Sequence, residues 1–171
     1  MRTYIVLGSP RSGTSFLTKA LIDQGVFMGK KFKGNSIHGG YENVEFEKLN
    51  RDIIKNAGGN WGSGAFPEDE KKLIHSAHDF EAEMTEVVRK NKRKWWGFKD
   101  PKTSLTLPAW MLHINEITDD PVFYICMRKP EKIAESQAKR SGKAYDRWRM
   151  PEVSKEYYRR IIAFMQEYLE L

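Results

Sequence analysis

The sequence predicts an α/β protein, a three-layer α/β/α arrangement around a central parallel sheet. Three observations carry that expectation. Short apolar runs alternate with long helical patterns, the rhythm of βαβ units. The first run, Tyr4-Ile5-Val6-Leu7, passes directly into a glycine-bracketed turn and then a helix. Polar residues also cluster just after the apolar runs: Gly8 to Gly13, Lys99-Asp100 and Arg128. In open parallel sheets, ligands bind outside the C-terminal strand ends.

Element by element, residues 3–8 read as a buried strand. Residues 13–24 read as a helix with Phe16, Leu17, Ala20 and Leu21 on one face. Residues 25–40, rich in glycine and lysine, lack periodicity and are expected to form a loop or lid. A second helix spans 43–57, with Val44, Phe46, Leu49, Ile53 and Ile54 apolar. "AGGNWGSGAFP" breaks the pattern. A third helix, 68–92, opens with Glu68-Asp69-Glu70 and closes with basic residues, in the run that extends from Arg89 to Lys94. Acids at the start and cations at the end complement the helix dipole. Residues 95–98 read as a short strand. A helix over 104–117 tolerates Pro108 only near its first turn. Val122 to Met127 is a continuous apolar strand, followed by a helix from Pro130 to about Arg140 and an amphipathic helix over 152–171.

The chain has 171 residues, enough for a single domain over 1–171. Its composition, 40% hydrophobic and 30% charged, is that of a globular protein. No apolar run reaches membrane-spanning length, so no membrane partner is expected. The apolar stretch at the N-terminus is too short for a signal peptide. The single cysteine, Cys126, permits no internal disulfide, and a cytoplasmic setting is expected. The net charge of +6 suits an anionic ligand. Nucleic acid is the less favoured partner, because no aromatic ladder interleaves with the basic run at 89–94. His75, His78 and His113 lack the spacing of a metal site, and no metal is expected.

The chemistry concentrates in "GSPRSGTSF", residues 8–16. Gly8 and Gly13 stand where the glycines of G-x-x-x-x-G-K-[ST] stand, but Thr14 replaces the lysine. Backbone N–H groups at such a strand–turn–helix junction converge on an anion. Pro10, Arg11, Ser12, Gly13, Thr14, Ser15 and Phe16 are the candidate binding residues. Magnesium–ATP would call for that lysine and for an acid at the end of a neighbouring strand. The strand at 122–127 instead leads to Arg128.

"SPRSGTSFL" resembles the 5′-phosphosulfate loop of the sulfotransferases that use 3′-phosphoadenosine 5′-phosphosulfate (PAPS). Arg11 stands at the family's Lys/Arg position, Ser15 at its second Thr, and Phe16 at the aromatic beside the adenine. "CMRKPEKIAESQAKR" resembles the family's 3′-phosphate segment. There an Arg at the strand end and a Ser eight residues on, here Arg128 and Ser136, grip the 3′-phosphate. "GYENVEFEKLNRDIIKNAGGNW" and "GFKDPKTSLTLPAW" resemble bacterial and phage-type members. The family's C-terminal basic segment is not found, and "KRSGKAYDRWR" at 139–149 is the stretch that stands nearest to it.

The resemblance implies a P-loop NTPase-like fold and a sulfotransferase with PAPS as sulfuryl donor. A small-molecule or glycan hydroxyl or amine would be the acceptor. Arg11 and Lys99 would neutralise developing charge. Three groups compete for the base: Glu42, which also reads as an acid complementing a helix N-terminus, and His38 and Asp100. Trp61, Trp95, Trp96, Trp110 and Trp148 include candidates for stacking on an acceptor. A kinase with a degenerate P-loop, or a non-catalytic nucleotide-binding domain, is the alternative.

Overall fold

The computed structural model of the protein describes residues 1–33, 40–60, 66–67, 69–116, 120–143 and 146–168. His38 and Trp61 lie outside these residues. In chain order the elements are β1 (Arg2–Gly8), α1 (Thr14–Asp23), β2 (Phe32–Lys33), β3 (Glu42–Asn43), α2 (Val44–Asn56) and α3 (Glu70–His78). They continue with α4 (Glu81–Asn91), β4 (Trp95–Lys99), α5 (Thr103–Ile114), β5 (Pro121–Cys126), α6 (Pro130–Ser141) and α7 (Asp146–Tyr168).

The three apolar runs form one parallel sheet of order β4-β1-β5, flanked by helices. Its register sets Val6 beside Lys99 and Gly8 beside Cys126. All three C-terminal strand ends therefore open on one crevice. Alternation along β1 divides the core. Ile5 and Leu7 join a large cluster with Phe46, Trp96, Phe98, Trp110 and Tyr157. Val6 joins a smaller one with Leu21, Val26 and Met28. Within the large cluster the Phe46 and Phe98 rings stack at 3.9 Å between centroids. That contact fixes α2 against β4, and with it the two elements that carry Glu47, Asn50 and Lys99. Among the described residues no helix is long and apolar enough to cross a membrane.

Four expectations need correction. The single helix over 68–92 is two, α3 and α4, broken at Asp79–Phe80. Phe80 leaves helical geometry to pack on the large cluster, and Asp79 accepts a hydrogen bond from Asn56 at 2.7 Å. The aperiodic stretch contains one strand of a two-residue antiparallel ladder, β2 with β3. Pro108 is the sixth residue of α5, past the first turn, and leaves the Ser104 carbonyl without its helical partner. Helix α7 starts at Asp146 and contains Pro151.

Candidate functional site

The loop between β1 and α1 is closed by its own hydrogen bonds. Ser12 donates from its main-chain N–H (3.1 Å) and its hydroxyl (2.7 Å) to the Ser9 carbonyl. The Gly8 N–H donates to the Ser104 hydroxyl at 3.1 Å, tying the loop to α5. Gly8 has φ 144°, and a Cβ there would stand 2.6 Å from the Cys126 carbonyl oxygen and 2.7 Å from the Ser12 hydroxyl. No other residue lets β1 turn this closely beneath the end of β5. Gly13, φ 107°, caps α1 without a side-chain bond, and the Phe16 and Leu17 amides turn back to its carbonyl, leaving the Thr14 and Ser15 amides without a side-chain cap.

Arg11 has φ 69°, the left-handed region, at a cost on the order of 1 kcal/mol for a residue with a Cβ. Its Nε donates to the Ser136 hydroxyl at 3.1 Å. Its carbonyl accepts from the Arg128 guanidinium, also at 3.1 Å. The loop and the start of α6 thus meet at one side chain. Burial, and then the charges of Arg140 and Arg128, push the Arg11 guanidinium below its usual value. Among the described residues none of these three arginines is in an ion pair. They form a concentrated positive field that an anion would relieve.

Across the crevice, Lys99 is 1% exposed. It donates to the Gly40 carbonyl at 2.6 Å and to the Glu42 carboxylate. Burial lowers its pKa, and Glu42 only partly offsets that. Ser15 also donates to the Gly40 carbonyl, at 3.0 Å, so α1 and β4 hold the same turn. Next to Lys99, Asp100 is wholly buried. One of its oxygens accepts from Asn50 at 2.8 Å, the other from Lys102 at 3.1 Å. Asn50 itself accepts from Thr106 and Trp110. Lys102 also reaches Glu47 (3.3 Å), which pairs with Lys33 (2.6 Å) and Arg51 (3.4 Å). Burial acts to raise the Glu47 carboxyl, but Lys33 and Lys102 outweigh it and hold the group below its usual range.

A cavity of about 620 Å³ lies between these two sides, a volume suited to a nucleotide-sized ligand. Of the residues singled out from the sequence, Pro10, Arg11, Thr14, Ser15, Glu42, Lys99 and Asp100 line it. Arg128 and Ser136 bear on it through Arg11. Ser12 is buried with its hydroxyl turned into the loop, and Gly13 is exposed at the cap. Phe16 does not line the cavity, and its ring is 83% exposed on the first turn of α1. Trp96 and Trp110 are core residues, while Trp95 and Trp148 are exposed. The sequence did not single out Asn50, Glu47 and Lys102, and it offered Arg140 only within the basic stretch 139–149. Asn50 carried a readable signal, being a polar residue on the stripe of Phe46, Leu49 and Ile53. The others are charged residues on helices or at a helix start, where solvated charge is the rule.

Comparison with known protein families, curated proteins and solved structures finds no match to this chain.

Proposed function

We propose that the chain is a sulfotransferase that moves the sulfuryl group of PAPS to a hydroxyl or amine, on a three-layer, P-loop-like α/β fold. The observation that carries the reading is the convergence at Arg11. A left-handed loop arginine touches Ser136 and Arg128, the two residues that the 3′-phosphate segment would supply. A donor with phosphates at both its 5′ and 3′ positions needs both segments side by side. Arg140 and Arg149, from the stretch 139–149, also line the cavity and supply cations where the family's C-terminal basic segment would.

In the reaction the bond between the sulfuryl sulfur and the bridging oxygen breaks. Its electron pair leaves on the 5′-phosphate of adenosine 3′,5′-bisphosphate. A new bond forms from sulfur to the acceptor oxygen or nitrogen, and the acceptor proton passes to the Glu42 carboxylate. Arg11 and the first amides of α1 neutralise the leaving phosphate. Glu42 begins paired with Lys99. A proton arriving on Glu42 ends that pairing and frees the Lys99 ammonium for the sulfuryl oxygens. Asp100 suits the base role less, since both its oxygens are engaged by Asn50 and Lys102. The same engagement disfavours the kinase alternative, in which a strand-end acid would organise magnesium. The resemblance around Glu42 favours a carbohydrate acceptor.

Incubation with sulfur-labelled PAPS and a panel of glycans and amines tests the reading. Label should pass to at least one acceptor, and Glu42→Gln should slow transfer about 100-fold or more without weakening bisphosphate binding. Phosphoryl transfer from magnesium–ATP to the same panel, with no sulfuryl transfer, would favour the kinase instead.

A further inference from the structure

The long C-terminal helix enters the site at one atom. Tyr158, on α7, is 8% exposed, and its ring belongs to the large core cluster. Its hydroxyl accepts from the main-chain N–H of Arg128 at 2.9 Å and donates to the carbonyl of the same residue at 3.2 Å. One hydroxyl can do both, having one hydrogen and two lone pairs. The Ser12 amide shares a peptide unit with the Arg11 carbonyl, to which the Arg128 guanidinium donates. Arg128 lies two residues past the end of β5, where the sheet ladder with β1 has stopped at Cys126. Tyr158 supplies a partner to both main-chain polar groups of a residue that the sheet no longer holds.

A further link follows from what Arg128 touches. Its guanidinium donates to the Arg11 carbonyl, and Arg11 sits at φ 69°. A strained backbone conformation persists only where its surroundings over-determine it. The contacts form a path from the core to the loop: Tyr158 to the Arg128 main chain, the Arg128 side chain to the Arg11 carbonyl, and Arg11 Nε to Ser136. Tyr158 itself is absent from the cavity lining. It acts only through the residues it holds.

We infer that Tyr158 is a positioning residue of the anion site: its hydroxyl fixes the Arg128 main chain and, through Arg128, the left-handed Arg11 that meets the ligand's phosphate. That the ligand is a PAPS-type nucleotide rests on the sulfotransferase reading, but the clamp itself does not. The test pairs amide hydrogen exchange without ligand with the affinity for adenosine 3′,5′-bisphosphate. It uses Tyr158→Phe, Arg128→Lys and the double variant. Tyr158→Phe keeps the ring in the core and removes only the hydroxyl. Exchange of the Arg128 and Ser12 amides should quicken about tenfold, the scale of one lost hydrogen bond, while Phe46 and Phe98 amides stay as they were. Bisphosphate affinity should fall about tenfold. In the double variant the affinity should be no worse than in Arg128→Lys alone, because the hydroxyl acts through Arg128.

Unchanged exchange at Arg128 and Ser12 would overturn the clamp. Exchange that quickens equally throughout the core would make Tyr158 a stability residue and nothing more. Additive affinity losses would overturn the route through Arg128. A wild-type protein that fails to bind the bisphosphate, with local exchange still responding to Tyr158→Phe, would sink the sulfotransferase reading and leave the clamp standing.

Discussion

The two sides of the cavity treat charge in opposite ways. On the β4–α5 side each buried charge has a counter-charge within reach: Lys99 with Glu42, Lys102 with Asp100 and Glu47, Glu47 with Lys33 and Arg51. On the loop side, Arg128 and Arg140 both repel Arg11, and among the described residues Arg11 and Arg128 make carbonyl and hydroxyl contacts and no ion pair. Buried pairs fix geometry, and removing one partner strands the other. A cluster of like charges costs stability until a ligand arrives. The first side holds its shape by pairing, and under the proposed function the second gains an anion, so structure and binding would divide within one site.

The sharpest way to break this contrast is to remove one cation from each side. Lys102→Met takes the ion-pair partner from buried Asp100, while Glu47 keeps Lys33 and Arg51, and should cost about 3 kcal/mol of unfolding free energy in urea titration. Arg11→Gly places at φ 69° the residue that this conformation suits, and removes mutual repulsion. It should leave the urea midpoint unchanged or raise it, while bisphosphate affinity falls about 100-fold. Equal destabilisation by both variants would erase the distinction.

Lys99, on the β4–α5 side, is both a structural charge and a proposed reaction charge, and pH separates the two roles. Folding lowers its pKa through burial, so between that lowered value and the ordinary 10.5 the unfolded chain binds more protons. Its contribution to stability therefore rises as pH climbs through this window. In the proposed reaction sulfuryl transfer uses the ammonium, so its rate should fall over the same window. Urea melts and transfer rates across that range should show opposite slopes, and Lys99→Met should flatten both.

The smallest expected effect belongs to Phe16, exposed on the first turn of α1. Phe16→Ala should weaken the bisphosphate by about fivefold, the value of one ring–base stack, and leave inorganic pyrophosphate untouched. An equal loss for both ligands would show that the ring supports the loop and does not meet a base.

Much of this molecule was legible because its signals are local. Apolar runs marked β1, β4 and β5, and the glycine spacing placed a tight turn where one exists. The contact of Arg11 with Ser136 was not legible: the sequence pairs Ser136 with Arg128 on one phosphate, and spacing cannot show two side chains touching. The break between α3 and α4 was hidden, since the helical pattern continues across Asp79 and Phe80, and the tertiary contacts of those two residues break the helix. The β2–β3 ladder pairs two residues with two, too short for alternation to register. The charge network under Lys99 was illegible for a different reason. Glu47 and Lys102 look like solvated helix residues until α2 packs against β4 and buries them.

The central claim is that this loop holds a phosphosulfate-type nucleotide by cations and amides without a metal. Titration calorimetry with adenosine 3′,5′-bisphosphate in chelator-containing buffer addresses it most directly. The account predicts micromolar binding, unchanged when magnesium is added, and far weaker binding of magnesium–ATP. Tighter binding of magnesium–ATP, or no bisphosphate binding at all, would contradict it.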